Sequence, residues 1–426
     1  MSKNNLLISL ITLIATGIVA CSGQKSSDNE SSSTAIIEVK NNLGIDRKDE
    51  HLIFNKQDII KYAGEIPEGQ FPKISKSDGQ QVVSQYDDLD GDGEWDELAI
   101  LVDLKAKTSE KLNISFVPEN ELSTFPKRAN IHFGKKLDGD TTYTSLTQET
   151  RPRDHFKGKE TAKYQMEGPA WENDIVAFRL YFDPRNGKDI FGKRTNEMVL
   201  EQVGIEGENY HKLADWGMDV LKVGNSLGAG ALALKDGDNL VRLTGCEDAY
   251  FHLISEGPVR AILDFDYKKW PVGNQTYDLK ERITIWAGKY GYESSVTIQG
   301  LPAGKELVTG IVNLQSDSVY FDNETPGFIS LATHDNQAYD EEKMGMAIIA
   351  AKSDFISHEM APEEGEGITQ TFYVRLKATD NTPTKFHFLV GWEIQDAKFA
   401  EKDYFLQVIN TEKEKLNSPL EVTQAM

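Results

Sequence analysis

Short runs of apolar residues, separated by turns rich in Gly, Asn, Asp and Pro, dominate the chain. Many alternate with a period of two, and others are continuous β-branched or aromatic stretches; both patterns are typical of strands. Clear examples lie at residues 98–104, 175–182, 259–267, 281–287, 295–299, 346–351, 369–376 and 385–394. More than a dozen strands without a repeating period favour an all-β protein with large packed antiparallel sheets, a β-sandwich, over a propeller or solenoid.

Helical patterns are scarce. One or two turns are predicted near residues 57–62, and a longer helix near the C-terminus at about 400–416. We expect a boundary near residues 125–127 or within the 138–150 loop. The sequence therefore predicts an N-terminal β-module over residues 35–137 and a large β-sandwich domain over 138–426 that carries the functional site.

The N-terminus has the pattern of an export signal. Lys3 precedes an apolar run that ends in Ile18-Val19-Ala20 directly before Cys21. This pattern predicts that residues 1–20 are a cleaved signal peptide and that Cys21 carries lipid, with a retained signal anchor as the alternative. Residues 21–34 are polar and Ser-rich, which is typical of a flexible tether. We expect a protein anchored to the bacterial cell envelope, on the periplasmic side or the outer-membrane surface, with the lipid as its only membrane contact.

Charge and cysteine content narrow the possible partners. The formal net charge is −22, and a surface of this sign repels nucleic acid and anionic membranes. Cys246 is the second and last cysteine, so it has no intramolecular partner once Cys21 is lipidated. Stability must therefore come from a hydrophobic core, since no disulfide framework is possible.

Residues 87–97 (DDLDGDGEWDE) resemble a calcium loop. Oxygen ligands at alternate positions can wrap a Ca²⁺ ion, and a glycine after the third aspartate permits the tight turn. Ala99 occupies the position of the bidentate glutamate, so the loop is not a complete EF-hand. The alternatives are a structural calcium site and an acidic hairpin turn without metal. The candidate ligands are Asp88, Asp90, Asp92, Glu94 and Asp96.

A first polar and aromatic segment spans residues 155–194 and includes the stretch EGPAWEND at 167–174. In the predicted strand 175–182, alternation places Ala177, Arg179 and Tyr181 on one face. Arg179 and Tyr181 are therefore expected to point together toward a cleft or toward solvent. The alternative is an ordinary solvated sheet face.

A second segment, YHKLADWGMDVLKVGNSLGAG at 210–230, groups a histidine with aromatic and charged residues among glycines that allow close backbone approach. This composition indicates a site built from loops. The spacing lacks a phosphate loop, a dinucleotide fingerprint, a zinc-protease helix and a nucleophile elbow. Hydrolase and nucleotide-binding functions are therefore disfavoured.

These two segments, with the YDDLDGDGEWDEL stretch at 86–98, resemble a family of Bacteroidetes lipoproteins encoded in polysaccharide-utilisation loci. The resemblance covers most of the chain. It implies action on uronic-acid polysaccharides such as ulvan, where an oligosaccharide dehydratase removes water from the non-reducing-end uronate and leaves a 4,5-unsaturated product. It also implies a fold similar to the galactose-mutarotase-like β-sandwich.

Such an elimination needs a base at C5, an acid at O4 and a cation at the carboxylate. We assign His211 as the base, with His155 as its strongest rival, and Tyr210 or Tyr181 as the acid. Arg179 and Lys222 are expected to hold the carboxylate. Trp171 and Trp216 offer faces for sugar stacking. The remaining candidate substrate contacts are Glu172, Arg185, Lys193 and Asp219.

The chemistry requires no cofactor, and the sequence does not separate a dehydratase from a polysaccharide lyase. Two other functions stay open. One is a non-catalytic glycan-binding lipoprotein that uses four tryptophans as platforms, namely Trp171, Trp216, Trp270 and Trp286. The other is a sugar epimerase or mutarotase on the same fold.

Overall fold

A computed structural model describes residues 35–137, 139–153, 163–205 and 207–425. The predicted strands are present: the pattern at 98–104 forms a strand at Glu97–Leu104, and the pattern at 281–287 ends a strand at Gln275–Trp286. The two predicted helices are present as well, at Lys56–Ala63 and Lys402–Asn417. The all-β class with a short C-terminal helix is confirmed.

The N-terminal region forms two small sheets and one helix. In chain order its elements are β1 (Ala35–Lys40), β2 (Arg47–Asn55), α1 (Lys56–Ala63), β3 (Gln70–Lys76), β4 (Ser84–Asp87), β5 (Glu97–Leu104) and β6 (Ser109–Pro118). Asn55 begins α1 with a capping box, because its side chain accepts from the Asp58 amide and the Asp58 side chain accepts from the Asn55 amide. Ile59 on the buried face fixes the helix to the small core.

The middle region supplies the strands that hold the site. They are β7 (Ala129–His132), β8 (Gly134–Lys135), β9 (Thr144–Ser145), β10 (Gln148–Pro152), β11 (Ala170–Asn173), β12 (Val176–Leu180), β13 (Lys188–Lys193) and β14 (Gly217–Asp219).

The remaining elements complete the sandwich. They are β15 (Ala229–Asp236), β16 (Asn239–Arg242), β17 (Asp248–Ser255), β18 (Arg260–Val272), β19 (Gln275–Trp286), β20 (Gly291–Gln299), β21 (Glu306–Val312), β22 (Tyr320–Asp322), β23 (Phe328–Asp335), β24 (Met344–Ala351), β25 (Phe355–Met360), β26 (Thr371–Lys377), β27 (Thr384–Trp392), α2 (Lys402–Asn417) and β28 (Glu421–Gln424).

A nine-stranded antiparallel sheet, in the order β10-β17-β18-β19-β20-β27-β24-β23-β22, forms one layer. Two five-stranded sheets, β14-β13-β12-β11-β7 and β16-β15-β21-β26-β25, contribute the opposing side chains of the main core. Phe178 of β12 meets Tyr292 of β20 edge to face, with ring centroids 4.8 Å apart. Helix α2 packs through Phe405 and Ile409 on the other face of the nine-stranded sheet, so β24 is apolar on both faces and reads as a continuous apolar run.

The C-terminal strand returns to the N-terminal region. In the four-stranded sheet β28-β1-β6-β3, β28 pairs antiparallel with β1 and places Ile37 opposite Gln424. Residues 34–426 form one compact unit by their contacts. Within the described ranges, no helix is long and apolar enough to cross a membrane.

Candidate active site

Three neighbouring strands bring one arginine and two aspartates onto the same face of a sheet. Arg179 of β12 lies directly opposite Asp189 of β13, so their side chains share a face. Phe191, two residues after Asp189, lies opposite Asp219 of β14 and puts that carboxylate on the same face. The Arg179 Nη2 donates to Oδ2 of Asp189 and to Oδ2 of Asp219, each at 2.8 Å.

This cluster is buried, since the Arg179 side chain is 1% exposed. Burial opposes the charge on Arg179, yet the carboxylates of Asp219 and Asp189 hold the pKa of its guanidinium above the usual value. Burial, and then the neighbouring Asp189, raise the pKa of Asp219 well above that of an ordinary aspartate.

Two tyrosines and a strained turn complete the surroundings of Arg179. Its Nη2 donates to the Tyr181 hydroxyl at 3.1 Å, and its Nη1 donates to the Tyr210 hydroxyl at 3.3 Å and to the carbonyl of Met166 at 2.9 Å. Met166 and Glu167 both have positive φ, 55° and 64°. A left-handed pair of non-glycine residues is costly, and here it points the Met166 carbonyl at the guanidinium.

His211 lies at the surface edge of this cluster, with its side chain 44% exposed. Its Nδ1 is 3.4 Å from Oδ2 of Asp219. The imidazole lies near the rings of Tyr210 and Tyr339, at centroid distances of 4.7 Å and 5.5 Å. The Lys222 ammonium is 4.7 Å from the Tyr339 ring centroid. The second segment therefore brings Tyr210, His211, Asp219 and Lys222 to one place.

The electrostatics of His211 suit a proton acceptor. Desolvation by partial burial, and then the charge of Arg179, lower its pKa below the ordinary value of 6.5. The imidazole is therefore neutral near pH 7. Asp219 faces Nδ1, whereas Nε2 makes no hydrogen bond to a described residue and is left to accept a proton.

Three predicted substrate contacts are wrong because the residues are buried. Trp171 is 0% exposed and packs against Phe178 and Tyr292 in the core. Lys193 donates to Glu172 at 2.6 Å, and neither side chain is exposed. Glu172 also accepts backbone N–H groups, so this ion pair anchors a loop.

The prediction for Arg179 and Tyr181 is half right. They share a face, as the alternation requires, but that face is covered, so Arg179 is already paired and does not point toward a cleft or toward solvent. The Tyr181 hydroxyl donates to Oδ2 of Asp189 at 2.5 Å and is buried as well. The carboxylate clamp assigned to Arg179 and the acid role considered for Tyr181 are therefore not supported by this geometry.

The other predicted contacts lie in different surroundings. Arg185 is 50% exposed and pairs with Asp183. Trp216 is partly buried and donates its Nε1 to Glu208 at 2.9 Å. His155 lies outside the described residues.

Two of the four proposed tryptophan platforms do not offer a free face. Trp270 is in the core. Trp286 stacks on His51, and the Arg260 guanidinium also lies over its ring.

The acidic loop brings three of its five candidate ligands together. One carboxylate oxygen each from Asp88, Asp90 and Asp96 lie within 4.8 Å of one another. Asp92 and Glu94 are not part of this group. Backbone N–H groups of Gly91 and Gly93 donate to Asp88, which shapes the turn. A set of hard oxygen donors matches the preference of Ca²⁺.

Several site residues lie outside the predicted set, namely Glu167, Asp189 and Tyr339. Asp189 follows a turn in a weakly patterned segment, but its position opposite Arg179 needs the register of two strands. Tyr339 is remote in sequence from His211, so no local pattern indicates the contact.

The fold and the cluster define an all-β sandwich protein with a histidine, carboxylate and tyrosine site at the edge of a five-stranded sheet. Over residues 39–422 the chain belongs to the family described as a domain of unknown function, DUF4861.

Two solved structures from Enterococcus faecalis are similar to the chain. One is an alpha-mannosidase of strain V583, with 9% identity, a TM-score of 0.43, and coverage of 92% of this chain and 46% of that chain. The other is a protein in glycosyl hydrolase family 38, with 9% identity, a TM-score of 0.45, and coverage of 92% and 47%. The chain spans about half the length of each. A search of curated proteins gave no match.

Proposed function

We propose that this protein catalyses elimination across C4 and C5 of a uronic acid in an anionic, ulvan-like oligosaccharide. The leaving group is water where the uronate is the non-reducing end, and a sugar where the uronate is linked through O4. The observation that carries the proposal is the pairing of His211 with Asp219. A neutral, half-exposed imidazole whose Nδ1 faces a buried carboxylate is oriented to take a proton at Nε2. The family resemblance of the sequence supplies the substrate class.

Tyr210 is the better candidate for the acid. Burial raises the pKa of its phenol, so it keeps its proton at neutral pH. The Arg179 Nη1 donates to the Tyr210 oxygen, which leaves the phenolic hydrogen free to donate to a leaving O4. Tyr181 lacks this freedom because its hydrogen is held by Asp189.

We assign to Lys222, and no longer to Arg179, the role of the cation that binds the uronate carboxylate. It forms no ion pair within the described part of the chain, and its ammonium lies over the Tyr339 ring beside His211. Neutralisation of the carboxylate lets negative charge spread from C5 as the proton leaves. Arg179 then acts indirectly, because it fixes Asp219 and Tyr210.

The proposed step balances as a β-elimination. His211 removes the C5 proton, the electron pair forms the C4–C5 double bond, and the C4–O4 bond breaks. Tyr210 protonates the departing oxygen, which leaves as water from a free hydroxyl or as the hydroxyl of a released sugar. If only a terminal O4 hydroxyl can reach Tyr210, the protein is a dehydratase. If an open groove also lets the O4 of a glycosidic bond reach Tyr210, the protein is a lyase.

The test is to incubate the protein with uronate oligosaccharides and follow absorbance at the band of the conjugated unsaturated uronate. We expect new absorbance from the wild type and loss of at least about a hundredfold in rate for His211→Ala. His252→Ala is the matched control, because His252 lies on β17 next to Tyr250, outside the cluster. Binding without new absorbance would favour the glycan-binding lipoprotein, and isomerised sugar without unsaturation would favour the epimerase.

We also propose that the acidic loop holds a structural Ca²⁺ ion through Asp88, Asp90 and Asp96. The support is that one carboxylate oxygen of each lies within 4.8 Å of the other two. The loop joins β4 to β5, and these strands pair between Asp87 and Glu97 at its base. An ion at this place would stabilise the hairpin without taking part in the chemistry.

Anchoring to the cell envelope through lipid on Cys21 remains a proposal from the sequence, since the signal and tether lie outside the described residues. Its support is the position of Cys21 directly after an apolar run that ends in small residues. Such an anchor would hold the enzyme at the membrane while its acidic surface stays in water.

A further inference from the structure

A pocket lies directly beside the Arg179 cluster. Its volume is about 200 Å³, and it is lined by Tyr181, Arg185, Asn225, Arg242 and glycines that include Gly224 and Gly367. Glycine at several lining positions leaves room next to the backbone. The pocket is large enough to hold one charged substituent together with part of a sugar ring.

Tyr181 forms the wall between this pocket and the cluster. The Arg179 guanidinium carbon is 4.6 Å from the Tyr181 ring centroid, and that of Arg185 is 4.1 Å from it. Glu167 also bridges the two arginines, at 3.7 Å from Arg179 and 3.3 Å from Arg185. Tyr181 and Glu167 therefore connect the pocket to the cluster that holds Asp219 and, through it, His211.

The two arginines of the pocket differ in how their charge is balanced. Arg185 pairs with Asp183 and Glu167. Arg242 pairs with no carboxylate among the residues that the structure describes; its guanidinium donates to the backbone carbonyls of Asn225, at 2.5 Å, and of Ser226, at 2.9 Å. These bonds fix the position of the guanidinium but do not neutralise it. A positioned cation without an anionic partner favours an external anion.

We propose that this pocket is an oxyanion subsite, in which Arg242 and Arg185 hold a sulfate or carboxylate substituent of the substrate. That the substituent belongs to a uronate oligosaccharide rests on the proposed function. The binding of the anion itself does not. Three glutamates precede Gly367 in the chain, namely Glu363, Glu364 and Glu366, but they are exposed and do not line the pocket. Water and salt screen their negative charge, so they do not prevent an anion from binding at Arg242. A compact anionic group that reaches Arg242 is expected to bind.

The first experiment titrates the full chain with inorganic sulfate by calorimetry, at constant ionic strength maintained with chloride. We expect saturable binding to one site, weakened at least about tenfold in Arg242→Gln. Asn225→Asp provides a second variant that keeps the backbone carbonyl on which Arg242 rests and adds a negative charge at the pocket. Arg194→Gln, at an exposed arginine after β13, is the control for general attraction and should bind sulfate like the wild type.

The second experiment compares sulfated and desulfated uronate oligosaccharides as substrates. A rise in KM for Arg242→Gln with the sulfated substrate alone identifies a sulfate ester as the occupant, and a rise with both identifies a carboxylate. Absence of saturable sulfate binding by the wild type, or undiminished binding by Asn225→Asp, would overturn the subsite. Unchanged KM for both substrates would also overturn it. Sulfate binding without any elimination would instead refute the proposed function and leave the anion site standing.

Discussion

Nδ1 of His211 lies 3.4 Å from Oδ2 of Asp219, although one residue is 44% exposed and the other is 1% exposed. The contact links the solvent edge of the site to its buried charges. Asp219 is held in turn by Arg179 at 2.8 Å, so the imidazole orientation depends on an ion cluster that solvent does not reach. Because of this connection we expect His211 to be the catalytic base.

The pH profile of elimination should report this histidine. Desolvation and Arg179 lower the pKa of His211 below 6.5, and the base works only when it is neutral. We therefore expect kcat/KM to fall as pH drops through a value under 6.5 and to be level at pH 7. Asp219→Asn should keep the fold but lower kcat by about a hundredfold, because the imidazole loses its carboxylate partner. An acidic limb centred above pH 7 would contradict His211 as the base.

Arg179 should matter for stability more than for recognition. Arg179→Met leaves the carboxylates of Asp189 and Asp219 buried without their cation, and loss of one partner of a buried ion pair costs about 3–5 kcal/mol in the free energy of unfolding. Urea denaturation measures this change. The matched variant also carries Asp189→Asn and Asp219→Asn, and it should recover part of the loss. A stable Arg179→Met protein with only a raised KM would instead support the role first predicted for Arg179, which is to bind the uronate carboxylate.

Chelation should lower the melting temperature if Ca²⁺ binds the acidic loop, since an ion that binds only the folded state stabilises it by mass action. Asp90→Asn should remove the effect of added calcium, because Asp90 contributes one of the three grouped carboxylate oxygens. Asp92→Asn is the control, as Asp92 lies outside that group. Identical melting curves for calcium-loaded and verified metal-free protein would leave the loop as an acidic hairpin turn.

Cys21→Ser should release the protein from membranes without changing its fold. The described residues begin at Ala35, which follows Cys21 by 14 positions, and the polar segment between them is expected to be a tether. Fractionation of cells, with circular dichroism of the soluble variant, measures both parts of the prediction. A variant that still sediments with membranes would refute lipid anchoring through this cysteine.

The sequence determined the strands and helices because their signals are local. Period-two alternation and β-branched runs predicted strands such as β5 and β19, and the C-terminal periodicity predicted α2. The face shared by Arg179 and Tyr181 followed from alternation alone. The grouping of Tyr210, His211, Asp219 and Lys222 was also accessible, because one segment of 13 residues contains all four.

Tertiary structure decided which of those faces are covered and which side chains face each other across distant segments. Alternation places Arg179 on a face but contains no information on what packs over it, and the turn at Met166 and Glu167 closes that face. The sequence predicted Glu172 and Lys193 as substrate contacts, but the two residues form a buried ion pair. A sequence does not show that two opposite charges are buried together. The contact of His211 with Tyr339 joins two loops that are remote in sequence. It forms only when the five-stranded and nine-stranded sheets that carry these loops pack together, and no local pattern specifies which distant loops then meet.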